Sequence, residues 1–81
     1  MKLKMEIKIK YFGILTEFTN CQEETLTIAS DSISELIDLV TKKHSKLKSK
    51  DFQVAQNKTI VSSSTKIDGT EIAFLPPFSG G

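Results

Sequence analysis

The stretch SISELIDLVTKKH, residues 32–44, decides the fold. Ser32 is followed three residues later by Glu35, the spacing of a capping box at the start of a helix. The apolar residues after it recur at i, i+3, i+4 and i+7, which is the period of one helix face; they are Ile33, Leu36, Ile37 and Val40. The pattern predicts one helix from about Ile33 to His44 with a single apolar stripe.

Two strands are predicted before this helix. From Leu3 to Tyr11 apolar residues alternate with charged ones, as in a strand that is buried on one face. From Glu24 to Ala29 the residues Leu26 and Ile28 share one face, and β-branched threonines supply the other. The intervening segment, residues 12–22, is predicted to be a loop with a short helical turn around residues 15–18.

Three short strands are predicted after the helix. Residues 52–56 and 59–61 flank Asn57-Lys58, a pair that favours a tight hairpin because Asn tolerates the left-handed conformation. Asp68-Gly69 marks another turn, and residues 71–75 form the last strand. This strand is apolar on both faces, which predicts a position inside the sheet.

These elements predict an α+β domain of two layers. A helix with one apolar stripe can bury it only against one face of the sheet that the strands form. With 81 residues, of which 38% are hydrophobic, the chain is expected to fold as one domain. We assign residues 1–75 to this domain and residues 76–81 to a flexible tail.

Composition argues against several classes of function. A formal net charge of +1 and the absence of arginine disfavour nucleic-acid binding. No apolar run reaches the roughly 20 residues needed to cross a bilayer, so a cytoplasmic protein without membrane contact is expected. Cys21 and His44 are the only residues of their types. We expect an ordinary reduced thiol, with persulfide formation as a minor alternative, and a helix-end role for a histidine without companion ligands.

The last six residues carry the strongest functional signal. Pro76-Pro77 cannot donate ladder hydrogen bonds, so the sheet must end there and the chain continues in an extended direction. Phe78 and Ser79 then lead to Gly80-Gly81. A carboxylate on two glycines is an unhindered acyl group, which suits activation by adenylation. A terminal Gly-Gly alone is weak evidence, because frayed polar ends are common.

The C-terminal sequence FLPPFSGG, residues 74–81, resembles the signature of molybdopterin synthase small subunits. Residues 68–73, the hairpin of residues 55–61 and the first strand at residues 7–13 are also similar to that family. Thr70 stands where the family more often has Asp, and Lys66-Ile67 replaces the more usual Pro-Leu. Carriers for thiazole synthesis share the terminal Gly-Gly but usually lack the Pro-Pro, which makes them the second choice.

The resemblance implies a ubiquitin-like β-grasp fold, with a mixed sheet of four to five strands packed on one main helix. It implies a sulfur carrier that binds no cofactor and has no enzymatic activity alone. Gly81 would be adenylated by a ubiquitin-activating-type enzyme that uses ATP, converted to a thiocarboxylate by a sulfur donor protein, and inserted into the large catalytic subunit of a heterotetramer. Sulfur would pass there to cyclic pyranopterin monophosphate.

The resemblance also assigns roles to the other residues of the C-terminal segment. Gly80 would give clearance, while residues 74–78 would form the docking surface and direct the tail; the tail and partner-binding set is Phe74, Leu75, Pro76, Pro77, Phe78, Ser79 and Gly80. Two other classes stay open at this point. One is a ubiquitin-like protein modifier that acts through the same adenylate, and the other is an interaction domain in which the tail is incidental.

Overall fold

The computed structural model describes residues 4–68 and 71–77. Its elements are β1 (Met5–Tyr11), α1 (Leu15–Thr19), β2 (Glu23–Ile28), α2 (Ile33–Lys43), a 3-10 helix (Ser45–Ser49), β3 (Gln53–Gln56), β4 (Thr59–Val61) and β5 (Glu71–Leu75). Every strand and helix predicted from the sequence is present, with ends that differ by one residue or two. The 3-10 helix was not predicted, and Leu3 lies outside the described residues.

The five strands form one mixed sheet in the order β2-β1-β5-β3-β4. β5 runs parallel to β1 and antiparallel to β3, so the last strand is central, as its two apolar faces predict. α2 packs across one face of this sheet. This arrangement of sheet and helix is the β-grasp fold, and it confirms the predicted α+β class.

The predicted apolar stripe of α2 supplies the centre of the core. Ile33, Leu36 and Val40 are fully buried, and they join the inward-facing side chains of β1 and β5 in one cluster. The start of the helix differs in one detail from a capping box. The Ser32 side chain accepts from the backbone N–H of Glu35 at 3.4 Å, but the backbone N–H of Ser32 donates to the Ser30 hydroxyl.

The β3–β4 hairpin turns as the sequence predicts. Asn57 and Lys58 have φ values of 54° and 63°, the pair of left-handed residues that a two-residue hairpin loop requires. Next to the turn, the buried Gln56 side chain donates to the carbonyl of Lys66 and accepts from the N–H of Asp68. This amide therefore fastens the loop before β5 to the sheet.

The end of α2 is tied to the sheet by the carboxylate of Glu24. It accepts hydrogen bonds from the Tyr11 hydroxyl at 2.5 Å and the Lys43 ammonium at 2.6 Å, and it contacts His44 Nε2 at 2.6 Å. Partial burial acts to raise the pKa of Glu24, but the hydrogen bonds from Lys43, Tyr11 and His44 outweigh it and lower the pKa to about 2. Burial and the bond to Glu24 raise the pKa of Tyr11.

His44 also has the helix-end role expected of it. Its backbone N–H donates to the carbonyl of Val40 at 2.8 Å and closes the last turn of α2. No helix within the described residues is long and apolar enough to span a membrane.

The Glu24 contacts predict a pH dependence of stability. The pKa of Glu24 is about 2 in the folded chain against 4.5 for an unperturbed carboxyl. Because the folded value is the lower one, the ionised carboxylate stabilises the fold fully above pH 4.5, and this contribution is lost as the pH falls through 2. In urea unfolding with EDTA present, Glu24→Gln should lower stability at pH 6 and lower it less at pH 2.5. An equal loss at both pH values would contradict the assignment.

Candidate functional site

The base of the C-terminal segment is anchored by Phe74. This side chain is fully buried, and its ring lies 5.8 Å from the ring of Tyr11 and 5.1 Å from that of Phe52, measured between centroids. A side chain with no exposed surface cannot touch a partner directly. The expected place of Phe74 in a docking surface is therefore corrected to an anchoring one, in which it fixes the strand that leads to the tail.

The sheet ends immediately after this anchor. The carbonyl of Phe74 accepts from the backbone N–H of Phe12 at 3.1 Å, and Leu75 pairs with Gln53 as the last residue of β5. Pro76 is half-buried and Pro77 is exposed. The last strand ends at Leu75. The division of the chain into a domain of residues 1–75 and a flexible tail of residues 76–81 stays a prediction.

Gly13 packs closely against the ring of Pro76. Its φ is +60°, and a Cβ placed on it would lie 2.7 Å from Cγ of Pro76, which is closer than side-chain carbons pack. Two conditions therefore demand glycine here: a left-handed backbone and close approach of the proline ring. The contact holds the first residue after β5 against the loop that follows β1, and so fixes where the chain leaves the sheet.

Gly81 is the residue expected to carry the chemistry, and it lies outside the described residues. So do Phe78, Ser79 and Gly80, which were expected to belong to the tail and partner-binding set. Their roles stay predictions. Of the expected turn Asp68-Gly69, Gly69 is likewise outside them. The structure describes Phe74 to Pro77, four residues without an ionisable side chain. Acyl transfer at the end of such a segment would use the terminal carboxylate itself, with acids and bases supplied by another protein.

The face of the sheet opposite α2 carries exposed apolar surface beside the start of the tail. Phe12 is 45% exposed and Ile60 is 51% exposed, while the half-buried Ala73 and Leu75 lie on the same face of β5. A shallow depression of about 520 Å³ lies here, lined by Lys10, Phe12, Ala55, Asn57, Lys58, Glu71 and Ala73. Large apolar side chains beside a depression are typical of a surface that binds another protein.

Charged groups border this depression on one side. Lys10 Nζ lies 3.0 Å from a carboxylate oxygen of Glu71, and both side chains are exposed. The hydrogen bond and the negative charge of Glu71 raise the pKa of Lys10. Sequence reasoning missed Phe12 and Ile60 as surface residues. The last strand carried a signal for such an apolar surface. It is apolar on both faces, and the single helix can bury only one of them.

Three solved structures share this architecture. The putative molybdopterin converting factor subunit 1 of Pyrococcus furiosus has a TM-score of 0.83 at 24% identity, over 91% of this chain and 99% of that one. SAMP1 of Haloferax volcanii has a TM-score of 0.78 at 22% identity, over 94% and 99%. Subunits 1 and 2 of the molybdopterin-converting factor of Helicobacter pylori 26695 form a complex, of which one chain matches with a TM-score of 0.64 at 25% identity, over 95% and 100%.

The fold is that of a ubiquitin-like β-grasp protein. No curated protein matches the sequence at a significant level. Residues 9–81, nearly the whole chain, match the ThiS family. The chain belongs to the ThiS family.

The contact between Gly13 and Pro76 predicts a specific stability loss. Gly13→Ala should cost about 1–2 kcal/mol for the left-handed backbone, and more because the new methyl group would collide with Pro76. Pro76→Ala removes the ring carbon that causes the collision. In this background Gly13→Ala should therefore cost only the backbone part, as measured by urea unfolding of the four proteins. Equal losses in both backgrounds would contradict the close contact.

Proposed function

We propose that this chain is a sulfur carrier that works through the carboxylate of Gly81. Two observations support the proposal. The chain belongs to the ThiS family over residues 9–81, which includes the terminal Gly-Gly. The described part of the C-terminal segment follows a buried anchor, starts at a fixed position and has no ionisable side chain, so the terminal carboxylate would be its only charged group.

The proposed chemistry has two transfers at the terminal carbonyl. A carboxylate oxygen of Gly81 attacks the α-phosphate of ATP on a ubiquitin-activating-type enzyme, and pyrophosphate leaves. The outer sulfur of a persulfide on a donor protein then attacks the carbonyl and AMP leaves, which gives an acyl disulfide. A thiol reductant attacks the donor sulfur of this S–S bond, so that the thiocarboxylate leaves and the donor cysteine ends in a disulfide with the thiol. Glycine at both final positions leaves the carbonyl open to each attacking group.

Molybdopterin formation is the pathway we propose. The Helicobacter pylori match is a complex of subunits 1 and 2 of a molybdopterin-converting factor, and the Pyrococcus furiosus match is a putative subunit 1 of such a factor. By analogy, this chain would be the small non-catalytic subunit of a cytoplasmic heterotetramer. Its tail would enter the large subunit and pass sulfur to cyclic pyranopterin monophosphate. The carrier would bind no cofactor, and ATP would be used by the activating enzyme.

The face of the sheet opposite α2, called the open face from here on, is our proposed docking surface for the large subunit. Phe12 and Ile60 are about half exposed there, and the depression that Phe12 helps to line borders the strand that leads to Pro76. Docking at this face would place the base of the tail against the partner while α2, on the other side, stays free. Burial of the exposed apolar surface would supply affinity, at about 25 cal/mol per Å² before the costs of association.

Two alternatives within the class remain. Membership of the ThiS family also fits a carrier for thiazole synthesis, which uses the same thiocarboxylate. The similarity to SAMP1, the small archaeal modifier protein 1 of Haloferax volcanii, favours a ubiquitin-like modifier that joins Gly81 to lysines of other proteins. The acceptor of the activated carbonyl distinguishes these cases: a sulfur donor yields a thiocarboxylate and a lysine yields an isopeptide.

The first prediction of this proposal concerns mass. Incubation with the activating enzyme, ATP and a sulfur donor should raise the intact mass by about 16 Da, because sulfur replaces one carboxylate oxygen. A matched variant with one alanine added after Gly81 should not change in mass. Retention of the original mass, with enzymes active on another carrier, would contradict the proposal. Higher-mass conjugates ending in an isopeptide would favour the modifier.

The second prediction concerns docking. Ile60→Asp should weaken binding to the large subunit at least about tenfold, since a charge would enter an apolar interface. Thr25→Asp is the matched control, because Thr25 is also exposed on the open face but lies on β2, at the opposite edge of the sheet from β4 and Ile60. Titration calorimetry should give unchanged affinity for this control. Equal affinities of the two variants for the large subunit would contradict the proposed docking surface.

A further inference from the structure

A second cluster of reactive side chains lies on the helix side of the sheet, away from the docking surface. Cys21, Glu24 and His44 each offer one ligand atom, and these three atoms all lie within 4.8 Å of one another. They come from three different segments: the turn after α1, strand β2 and the residue that ends α2. None of the three is used in the proposed sulfur chemistry.

We propose that Cys21, Glu24 and His44 form a zinc-binding site. A thiolate sulfur, an imidazole nitrogen and a carboxylate oxygen are the three donor types that zinc takes from proteins. Calcium and magnesium prefer oxygen donors alone, so sulfur and nitrogen in one site favour zinc. Three protein ligands would leave one position of a tetrahedral site for water.

The observed distances fit this proposal after small side-chain rotations. Zinc binds sulfur at about 2.3 Å and nitrogen or oxygen at about 2.0–2.1 Å, which places tetrahedral ligand atoms roughly 3.3–3.6 Å apart. The present atoms lie at most 4.8 Å apart, so the longest separation must close by little more than 1 Å. The contact between His44 Nε2 and Glu24 is 2.6 Å and must open by less than 1 Å.

The backbone that carries the thiol is held in place. Asn20 has a left-handed conformation, with φ 61°, that ends α1 and turns the chain into Cys21. The Thr19 hydroxyl donates to the carbonyl of Cys21 at 2.9 Å, and its oxygen accepts from the backbone N–H of Cys21 at 3.4 Å. The thiol is thereby presented from a fixed turn, which lowers the entropy lost when a metal binds.

The other two ligands are also oriented before any metal arrives. The Tyr11 hydroxyl and the Lys43 ammonium donate to Glu24, and the Tyr11 ring packs edge-on against the His44 ring at 5.7 Å. Outer partners of this kind fix the orientation of metal ligands. The glutamate and histidine side chains are 13% and 12% exposed, so a bound ion would be largely shielded from water.

Charge balance is favourable. Zinc would replace the thiol proton of Cys21, and the thiolate with the Glu24 carboxylate would carry two negative charges against the two positive charges of the ion. His44 would bind as a neutral imidazole and release its contact with Glu24. Lys43 would keep its hydrogen bond to the second carboxylate oxygen. The bound ion would cross-link the turn after α1, strand β2 and the end of α2.

Cobalt(II) is the probe for this site because it adopts zinc-like geometry and absorbs light. Reduced protein without a histidine tag should bind one Co²⁺, with a thiolate charge-transfer band in the near ultraviolet and intense visible bands typical of tetrahedral cobalt. Zinc should displace the cobalt and remove these bands. Absence of the thiolate band at saturating cobalt would overturn the proposal.

Matched variants identify the ligands. Cys21→Ser should abolish the thiolate band, and His44→Gln should weaken zinc binding more than about tenfold. Tyr11→Phe, which removes an outer partner, should weaken it about 10- to 100-fold. Glu23→Gln is the control, because this exposed neighbour of Glu24 faces the other side of the sheet, and it should bind zinc as the unaltered chain does. Equal zinc affinity for Cys21→Ser and the unaltered chain would contradict the site.

A measurement on the unaltered chain avoids any folding defect of the variants. Cys21 is the single cysteine, so alkylation by iodoacetamide reports on this thiol alone. Saturating Zn²⁺ should slow the alkylation at least tenfold, and EDTA should restore the rate. Mg²⁺ at the same concentration should have no effect. An alkylation rate that zinc leaves unchanged would overturn the proposal whatever the variants show.

Discussion

The rest of the structure depends on the contacts that bury Phe74 in the middle of the sheet. The strand that contains it is paired on both sides, by β1 and by β3, and its ring packs against Tyr11 and Phe52. Because the last strand is also the central one, the chain passes through the core immediately before Pro76. The segment that follows must therefore leave the body at one fixed place, which Gly13 and Pro76 define.

The two faces of the sheet differ in what they carry. The helix side contains the core, with the Glu24 contacts that join α2 to β2. The open side carries exposed apolar groups such as Ile60 beside the strand that precedes the tail. A carrier must bind several enzymes in turn, and a single rigid face beside a short segment allows this without rearrangement of the body. The proposed zinc site would reinforce the helix side and leave the docking side unaffected.

Much of the fold could be predicted from the sequence because its signals are local. Ser32 and the spacing of Leu36 and Val40 define the helix, and alternation defines β1. The details that were missed depend on contacts between distant residues. No local pattern reveals that Ser30 satisfies the N–H of Ser32, or that residues 45–49 form a 3-10 helix.

The difference between local signals and contacts of distant residues also decides which parts of the two candidate sites could be predicted. The terminal glycines could be recognised from the sequence because they are adjacent in it, although they lie outside the described residues. Phe74 belongs to the same motif, yet its burial depends on rings from β1 and the segment before β3. Cys21 and His44 each look isolated along the chain, because 23 positions separate them, and only the fold brings both to Glu24.

We propose that the folded body of the chain does not need its last two residues for its own stability. Thermal unfolding of the chain without Gly80 and Gly81, compared with the full chain, tests this most directly. We expect melting temperatures that agree within about 2 °C, since surface changes usually cost less than about 0.5 kcal/mol. A decrease of more than about 4 °C, equivalent to roughly 1 kcal/mol for a domain of this size, would show that the terminus belongs to the core.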